Sequence, residues 1–211
     1  MSYPLMYNIP IMNENLISIL DGFTKFIKKY DVTKTNTFFD TVDRDYWTGD
    51  EYLESIQEGH AGSPEAARSY CIKPIHYEGV DPNYAIEFNK LESSIMSELG
   101  VEFAALTQLY PDDGFISWHS NANASSYNFI FTWSENGDGW FKYVHPITKE
   151  IVVMKDSVGW SCKAGYYGRL DEPDKILYHA AVANCKRMTM SFMLRDNKAF
   201  WEDAIEHITN A

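Results

Sequence analysis

A change of rhythm at Gly100 constrains this chain more than any other feature. Beyond it, apolar residues recur at every second position, the period of a strand whose side chains alternate between two faces. Segments 101–110, 115–120, 127–133, 139–143, 150–154, 160–167, 176–182 and 187–194 each read as a short strand. Turn signals separate them, and Asn136-Gly137 and Asp138-Gly139 are the strongest pairs. A run of short strands without intervening helices predicts a β-sandwich or jelly roll rather than alternating β and α units.

Before Gly100 the rhythm is helical. Leu16, Leu20, Phe23, Ile27 and Tyr30 share one face of a helix over 13–30, with Asn13 as N-cap. Residues 31–47 show no clear period and read as loop or short strand. Thr48-Gly-Asp-Glu51 has capping-box spacing and predicts a short helix through Gln57, after which Gly59 to Pro64 breaks the chain. Asp81-Pro82 and Gly100 mark the start and end of a longer helix whose face is Ala85, Phe88, Leu91, Ile95 and Leu99. Residues 198–209 form a last helix. Nothing in the sequence looks like a repeat or a linker, so one domain is expected over 1–211. Residues 1–100 would be mainly helical support, 101–195 the jelly-roll core and 196–211 a C-terminal helix.

Composition narrows the function. A net charge of −12 repels a phosphate backbone, which argues against nucleic acid as a partner. No apolar run approaches the roughly 20 residues of a membrane span. Met1 to Asn15 lacks a basic segment followed by an apolar core, so no secretory signal and a cytoplasmic location are expected. Cys71, Cys162 and Cys185 form no Cys-x-x-Cys pair and read as reduced, mostly buried thiols.

Chemistry concentrates in the strands. On a continuous strand His119 and Asn121, two apart, would share a face and project into the roll. A His-x-Asp pair with a distant His is how a jelly roll builds a 2-His-1-carboxylate facial triad. Such a triad leaves open positions on ferrous iron for a chelating cosubstrate and oxygen. His179, on the penultimate predicted strand, is the natural partner. Arg187 and Thr189 offer a buried cation and a hydroxyl to a distal carboxylate, which the planar guanidinium can grip with two bonds.

The stretch from about Tyr110 to Leu194 resembles the iron(II)- and 2-oxoglutarate-dependent oxygenases, nearest their prolyl-4-hydroxylase-like branch. Tyr110-Pro-Asp-Asp-Gly114 leads to His119 as that branch approaches its first metal histidine. Tyr127 to Trp133, then Gly137-Asp-Gly139-Trp-Phe141, is similar to its second strand and following turn, and Lys163-Ala-Gly165-Tyr-Tyr167 to a strand ending in an aromatic residue. His179 and Arg187-Met-Thr189 match the second metal histidine and the cosubstrate-binding basic residue. The resemblance implies an α+β double-stranded β-helix (jelly roll) with supporting helices. It also implies Fe(II) at His119, Asn121 and His179, with 2-oxoglutarate held by Arg187 and Thr189 and touched by Tyr127 and Asn128. O2 is the co-reactant, and the substrate would be a peptide, prolyl-like, or a small molecule. The implied reaction couples decarboxylation of 2-oxoglutarate to succinate with hydroxylation of a substrate carbon.

One departure stands out: Asn121 takes the place of the family's carboxylate ligand. Its amide oxygen can ligate as a weaker, neutral donor, or an outside anion can fill the position. Alternatively the site is degenerate and the chain is a jelly-roll binding or interaction protein. Asn123, Asp112 and Asp113 are further substitutes, although the two acids precede the strand. His60, His76, His145 and His207 have no partner at ligand spacing and read as surface or turn residues. Trp118, Trp133, Trp140 and Trp160 read as packing rather than as a substrate pocket.

Overall fold

In the computed structural model, residues 6–32, 37–38, 43–57, 62–74, 80–101, 103–124, 126–194 and 197–210 are described. The chain opens with strand β1 (Tyr7–Ile9), helix α1 (Glu14–Lys29), strand β2 (Thr37–Phe38) and helices α2 (Arg44–Trp47) and α3 (Asp50–Ile56). Strand β3 (Ala67–Cys71) and helix α4 (Pro82–Leu99) follow. Strands β4 (Phe103–Tyr110), β5 (Gly114–His119), β6 (Ser126–Ser134) and β7 (Gly139–Val144) come next. Strands β8 (Ile151–Lys155), β9 (Gly159–Tyr167), β10 (His179–Ala183) and β11 (Arg187–Leu194) lead to helix α5 (Lys198–Thr209).

All eight segments expected as strands are strands, and they fold into two facing antiparallel sheets. One has the order β9-β6-β11-β4 and the other β5-β10-β7-β8. The chain crosses from sheet to sheet at nearly every step, which is the path of a double Greek key. The protein is an α+β jelly roll, a double-stranded β-helix. The expected start of β10 at 176 shifts to His179 because Pro173–Lys175 forms a 3-10 turn just before it.

Three strands of the first hundred residues, expected to be mainly helical, also join the sheets, and β2, within the stretch read as loop or short strand, pairs with β3. β1 pairs with β9 at one edge. β3 spans the seam: Tyr70 and Cys71 pair with β4, while Ala67 and Arg68 pair with β5.

The long helices start and stop as their sequences dictate. Asn13 accepts a bond from the Leu16 amide at 2.9 Å and Asp81 one from Asn83 at 2.8 Å, each satisfying an orphan N–H of the first turn. Gly100, at φ 65°, takes the left-handed turn that ends α4 and lets Val101 N–H reach the Met96 carbonyl. The capping box at Thr48 does not form. Thr48 instead ends α2, its hydroxyl donating to the Arg44 carbonyl, and Gly49 precedes α3 without a side-chain cap.

The β9-β6-β11-β4 sheet packs one face on α1, α4 and α5. Phe129, Phe131, Met188, Met190 and Phe192 meet Leu16, Phe23, Phe88, Ile95 and Trp201 there, all essentially excluded from water. Each such side chain contributes about 1.5–3 kcal/mol of burial energy. Its opposite face contributes Tyr110, Ile130 and Tyr167 to the interior of the roll, where they meet Ile116, Phe141 and Ala181 of the β5-β10-β7-β8 sheet. No described helix is long and apolar enough to cross a membrane.

Candidate metal centre

The interior of the roll is where charge and imidazole collect. His119 lies directly opposite His179 across the β5–β10 ladder, and their ring centroids are 4.0 Å apart. A shift in register makes this possible. Ala181 faces Ile116 and His179 faces His119, so two steps along β10 match three along β5. The extra residue reverses the alternation. Ile116 points inward and Trp118 outward against α3, with its indole N–H on the Thr48 carbonyl, and His119 then points inward again.

Both rings are anchored alike. His119 Nδ1 lies 2.8 Å from the Ser117 carbonyl, and His179 Nδ1 lies 2.9 Å from that of Leu177. A carbonyl oxygen only accepts, so Nδ1 carries the hydrogen in each case. The opposite edge, Nε2, is thereby a lone-pair donor toward the cavity both rings line. Burial and the neighbouring His119 hold the His179 pKa well below the usual histidine value, so its ring is neutral at pH 7. Tyr167 meets the His179 ring edge-on at 4.9 Å and Phe141 lies 5.6 Å away, which fixes its orientation.

A group that titrates lower in the folded state costs stability in acid. Below about pH 6.5 the unfolded chain takes up a proton that folded His179 refuses, so stability falls with pH by up to about 1.4 kcal/mol per unit. Urea midpoints of the metal-free protein between pH 7 and 5 should drop more steeply than those of His179→Gln. Parallel slopes would show that His179 is not the group responsible.

Arg187 sits deeper. It faces Tyr110 on β4 near the end of the roll where β10 finishes at Ala183, opposite Gly114. The histidines lie at the other end of β10, roughly 13 Å along the strand. Arg187 is 1% exposed, donates from Nε to Asp156 Oδ2 at 2.7 Å and from Nη1 to Thr189 Oγ1 at 2.6 Å, and packs over the Tyr110 ring. Lys163, equally buried, reaches the other Asp156 oxygen at 3.4 Å. Burial pulls the Lys163 pKa down and pushes the Tyr110 phenol up to about 12. The Asp156 carboxylate lies against Gly139, where a Cβ would approach it to 2.7 Å. Glycine is needed there for close approach.

A slot of about 70 Å³ joins the two ends, lined by His119, Asn121, Asn128, His179, Arg187 and Thr189 among others. That is room for about five water-sized groups, enough for a short chain but not a ring system. It widens past His119 and Asn121 into a cleft of about 370 Å³ bordered by Gly62, Ser63 and Pro64. Inside the slot the Tyr167 hydroxyl is buried with no hydrogen-bond partner, a polar group that calls for a ligand.

The expected residues sort cleanly. His119, His179, Arg187, Thr189, Asn121 and Asn128 share the slot. Asn121 does so from a different position than expected: β5 ends at His119, and Asn121 lies in the turn beyond, its carbonyl accepting from Ala124. Asn128 accepts a bond from the Ser191 hydroxyl at 2.9 Å. Tyr127 is on the opposite face of β6, stacked among Tyr166 and Trp201 beneath α5, because neighbours on a strand cannot both point inward. Asn123 bonds the Leu170 amide, and Asp113 is salt-bridged to Arg44 and Arg68 at the far end of β5. His145 caps its own turn by accepting from Ile147 and Thr148, and His207 pairs with Glu98 on the surface. His60 and His76 lie outside the described residues. None of Trp118, Trp133, Trp140 and Trp160 borders the slot. Asp156, Lys163 and the Tyr167 hydroxyl were not anticipated. A lysine set between Cys162 and Ala164 in an apolar strand is the one sequence signal that could have flagged them.

The donor set fits a divalent metal in part. Two neutral imidazoles with fixed tautomers suit one well. Among the described residues, however, no group of three or more His, Cys, Asp or Glu side chains comes together, so the third protein position falls to the Asn121 amide or an outside anion.

The sequence matches no family model and no curated protein. Among solved structures, the chain overlaps a prolyl-4-hydroxylase from Pseudomonas putida at 11% identity, over 92% of this chain and 94% of that one, with a TM-score of 0.46. It overlaps SnoN, a non-heme alpha ketoglutarate dependent epimerase from nogalamycin biosynthesis, at 11% identity over 96% and 83% of the two chains, with a TM-score of 0.42. For OsALKBH1 the identity is 10%, the coverage 92% and 100%, and the TM-score 0.41. The jelly-roll assignment itself rests on strand order.

Proposed function

We propose that the protein is an iron(II)- and 2-oxoglutarate-dependent oxygenase acting in the cytoplasm on a peptide side chain, prolyl by preference, or on a small molecule. One observation carries this reading. Two imidazoles of fixed tautomer and a guanidinium open onto the two ends of a single narrow slot. His119 and His179 would hold the metal, with Asn121 beside them. Arg187 and Thr189 would grip the distal carboxylate of the cosubstrate, and the amide of Asn128 would flank its chain. The wider cleft past Asn121 would seat the substrate, while the aromatic walls of Phe141 and Tyr167 keep bulk water from the reacting carbon. The bound iron would supply O2 activation coupled to decarboxylation of 2-oxoglutarate. The acidic balance of the chain argues against nucleic acid as substrate.

A second reading, a jelly-roll binding protein without iron chemistry, is favoured by the missing acidic ligand. Anaerobic titration with Fe(II) and 2-oxoglutarate separates the two. The oxygenase should develop a weak visible charge-transfer band and release succinate when oxygen is admitted. A protein that binds neither iron nor 2-oxoglutarate is the second kind. Asn121→Asp should tighten Fe(II) binding by at least about tenfold, or about 1.4 kcal/mol. An unchanged affinity would place residue 121 away from the metal.

A further inference from the structure

Charge accounting around Arg187 assigns a role to a residue that the proposed function leaves idle. The buried cluster holds the cations Arg187 and Lys163 and the carboxylate Asp156, which sum to one net positive charge. Arg187 and Lys163 are each 1% exposed, and the Asp156 side chain is fully buried. Among the described residues neither cation meets a second carboxylate. An isolated Arg187–Asp156 pair would be neutral and closed, its carboxylate already occupying the guanidinium. A buried net charge is costly and demands a counter-ion. The direction from which that ion can come is set by the geometry. Arg187 and Thr189 border the slot, whereas Asp156 and Lys163 lie behind them.

We propose that Lys163 is a positioning residue that sets the charge of this subsite: by neutralising Asp156 from behind, it leaves Arg187 a net cation able to hold one carboxylate of the ligand in the slot. The proposal rests on the reading of Arg187 as a carboxylate anchor. Lys163 does not touch the ligand. It decides whether Arg187 is spent on its internal partner or available to an outside one, and so selects a ligand whose inner end carries a single negative charge.

Calorimetric titration of 2-oxoglutarate into the protein with Mn(II), under nitrogen, tests this with three variants. Lys163→Met keeps the volume, removes the charge and should weaken binding at least tenfold. The double variant Asp156→Asn, Lys163→Met removes one charge of each sign, restores the net cation and should return affinity to within about threefold of the parent. Fold damage would instead deepen in the double variant. Arg187→Met should abolish binding. Parent-like affinity in Lys163→Met, or a double variant as weak as Lys163→Met, overturns the proposal while the anchor reading stands. If the parent binds no 2-oxoglutarate, or Arg187→Met binds as the parent does, the anchor reading falls and takes the proposal with it.

Discussion

Asp156→Ala should destabilise the protein by about 3–5 kcal/mol, a large share of the stability of any domain. The substitution removes the carboxylate that separates two buried cations and leaves Arg187 and Lys163 facing each other without water. Three effects compete. The lost bonds are small, the cavity left by a short side chain is modest, and the unpaired charges dominate because burial denies them hydration. The comparison with Arg187→Met isolates this cause. That variant leaves Asp156 and Lys163 as a neutral pair, so it should cost clearly less despite removing a much larger side chain. Urea unfolding at pH 7 measures both. If Asp156→Ala costs under about 1 kcal/mol, or less than Arg187→Met, the cluster is not held together by its charge balance.

The second large effect concerns the metal. His179→Ala should lower affinity for Mn(II) or Co(II) more than about a hundredfold, since even the residues behind a metal ligand are worth 10–100-fold. Truncation also opens space beside Tyr167 and Phe141, so some loss of stability will accompany it. His207→Ala is the control, as His207 sits on the surface with Glu98 and should leave metal affinity unchanged. Equal affinities in parent and His179→Ala would remove the metal from the centre of the roll. His119→Ala should match His179→Ala, because the same backbone anchor fixes both rings.

What the sequence made legible was whatever obeys a local period. Asp81, Pro82 and Gly100 bracket α4 because capping and left-handed termination are decided within one turn. The strands β4 to β11 were legible because one buried face imposes a period of two. β3 was not, since its pairing is divided between two sheets and its short Ala67–Cys71 run shows no single apolar face. Thr48 misled because its hydroxyl donates to the Arg44 carbonyl at the end of α2, and the residue that precedes α3 is Gly49, which has no side chain to cap with. In the site, His119, His179 and Arg187 were legible from order and spacing. The same period of two, applied strictly, sets Tyr127 against Asn128. Asp156 and Lys163 escaped notice because Lys155-Asp156 looks like any solvated turn, and only the packed sheets reveal that its carboxylate is dry.

The inward turn of His119 depends on a count rather than on a residue type. Unbroken alternation from Ile116 to His119 would leave the composition untouched, yet it would present an indole to the slot and an imidazole to α3. Tolerance at this stretch should therefore be lopsided. Letters can be exchanged freely while the bulge survives, and a change that irons it out is the quickest route by which a descendant could keep the barrel and forfeit whatever chemistry it houses.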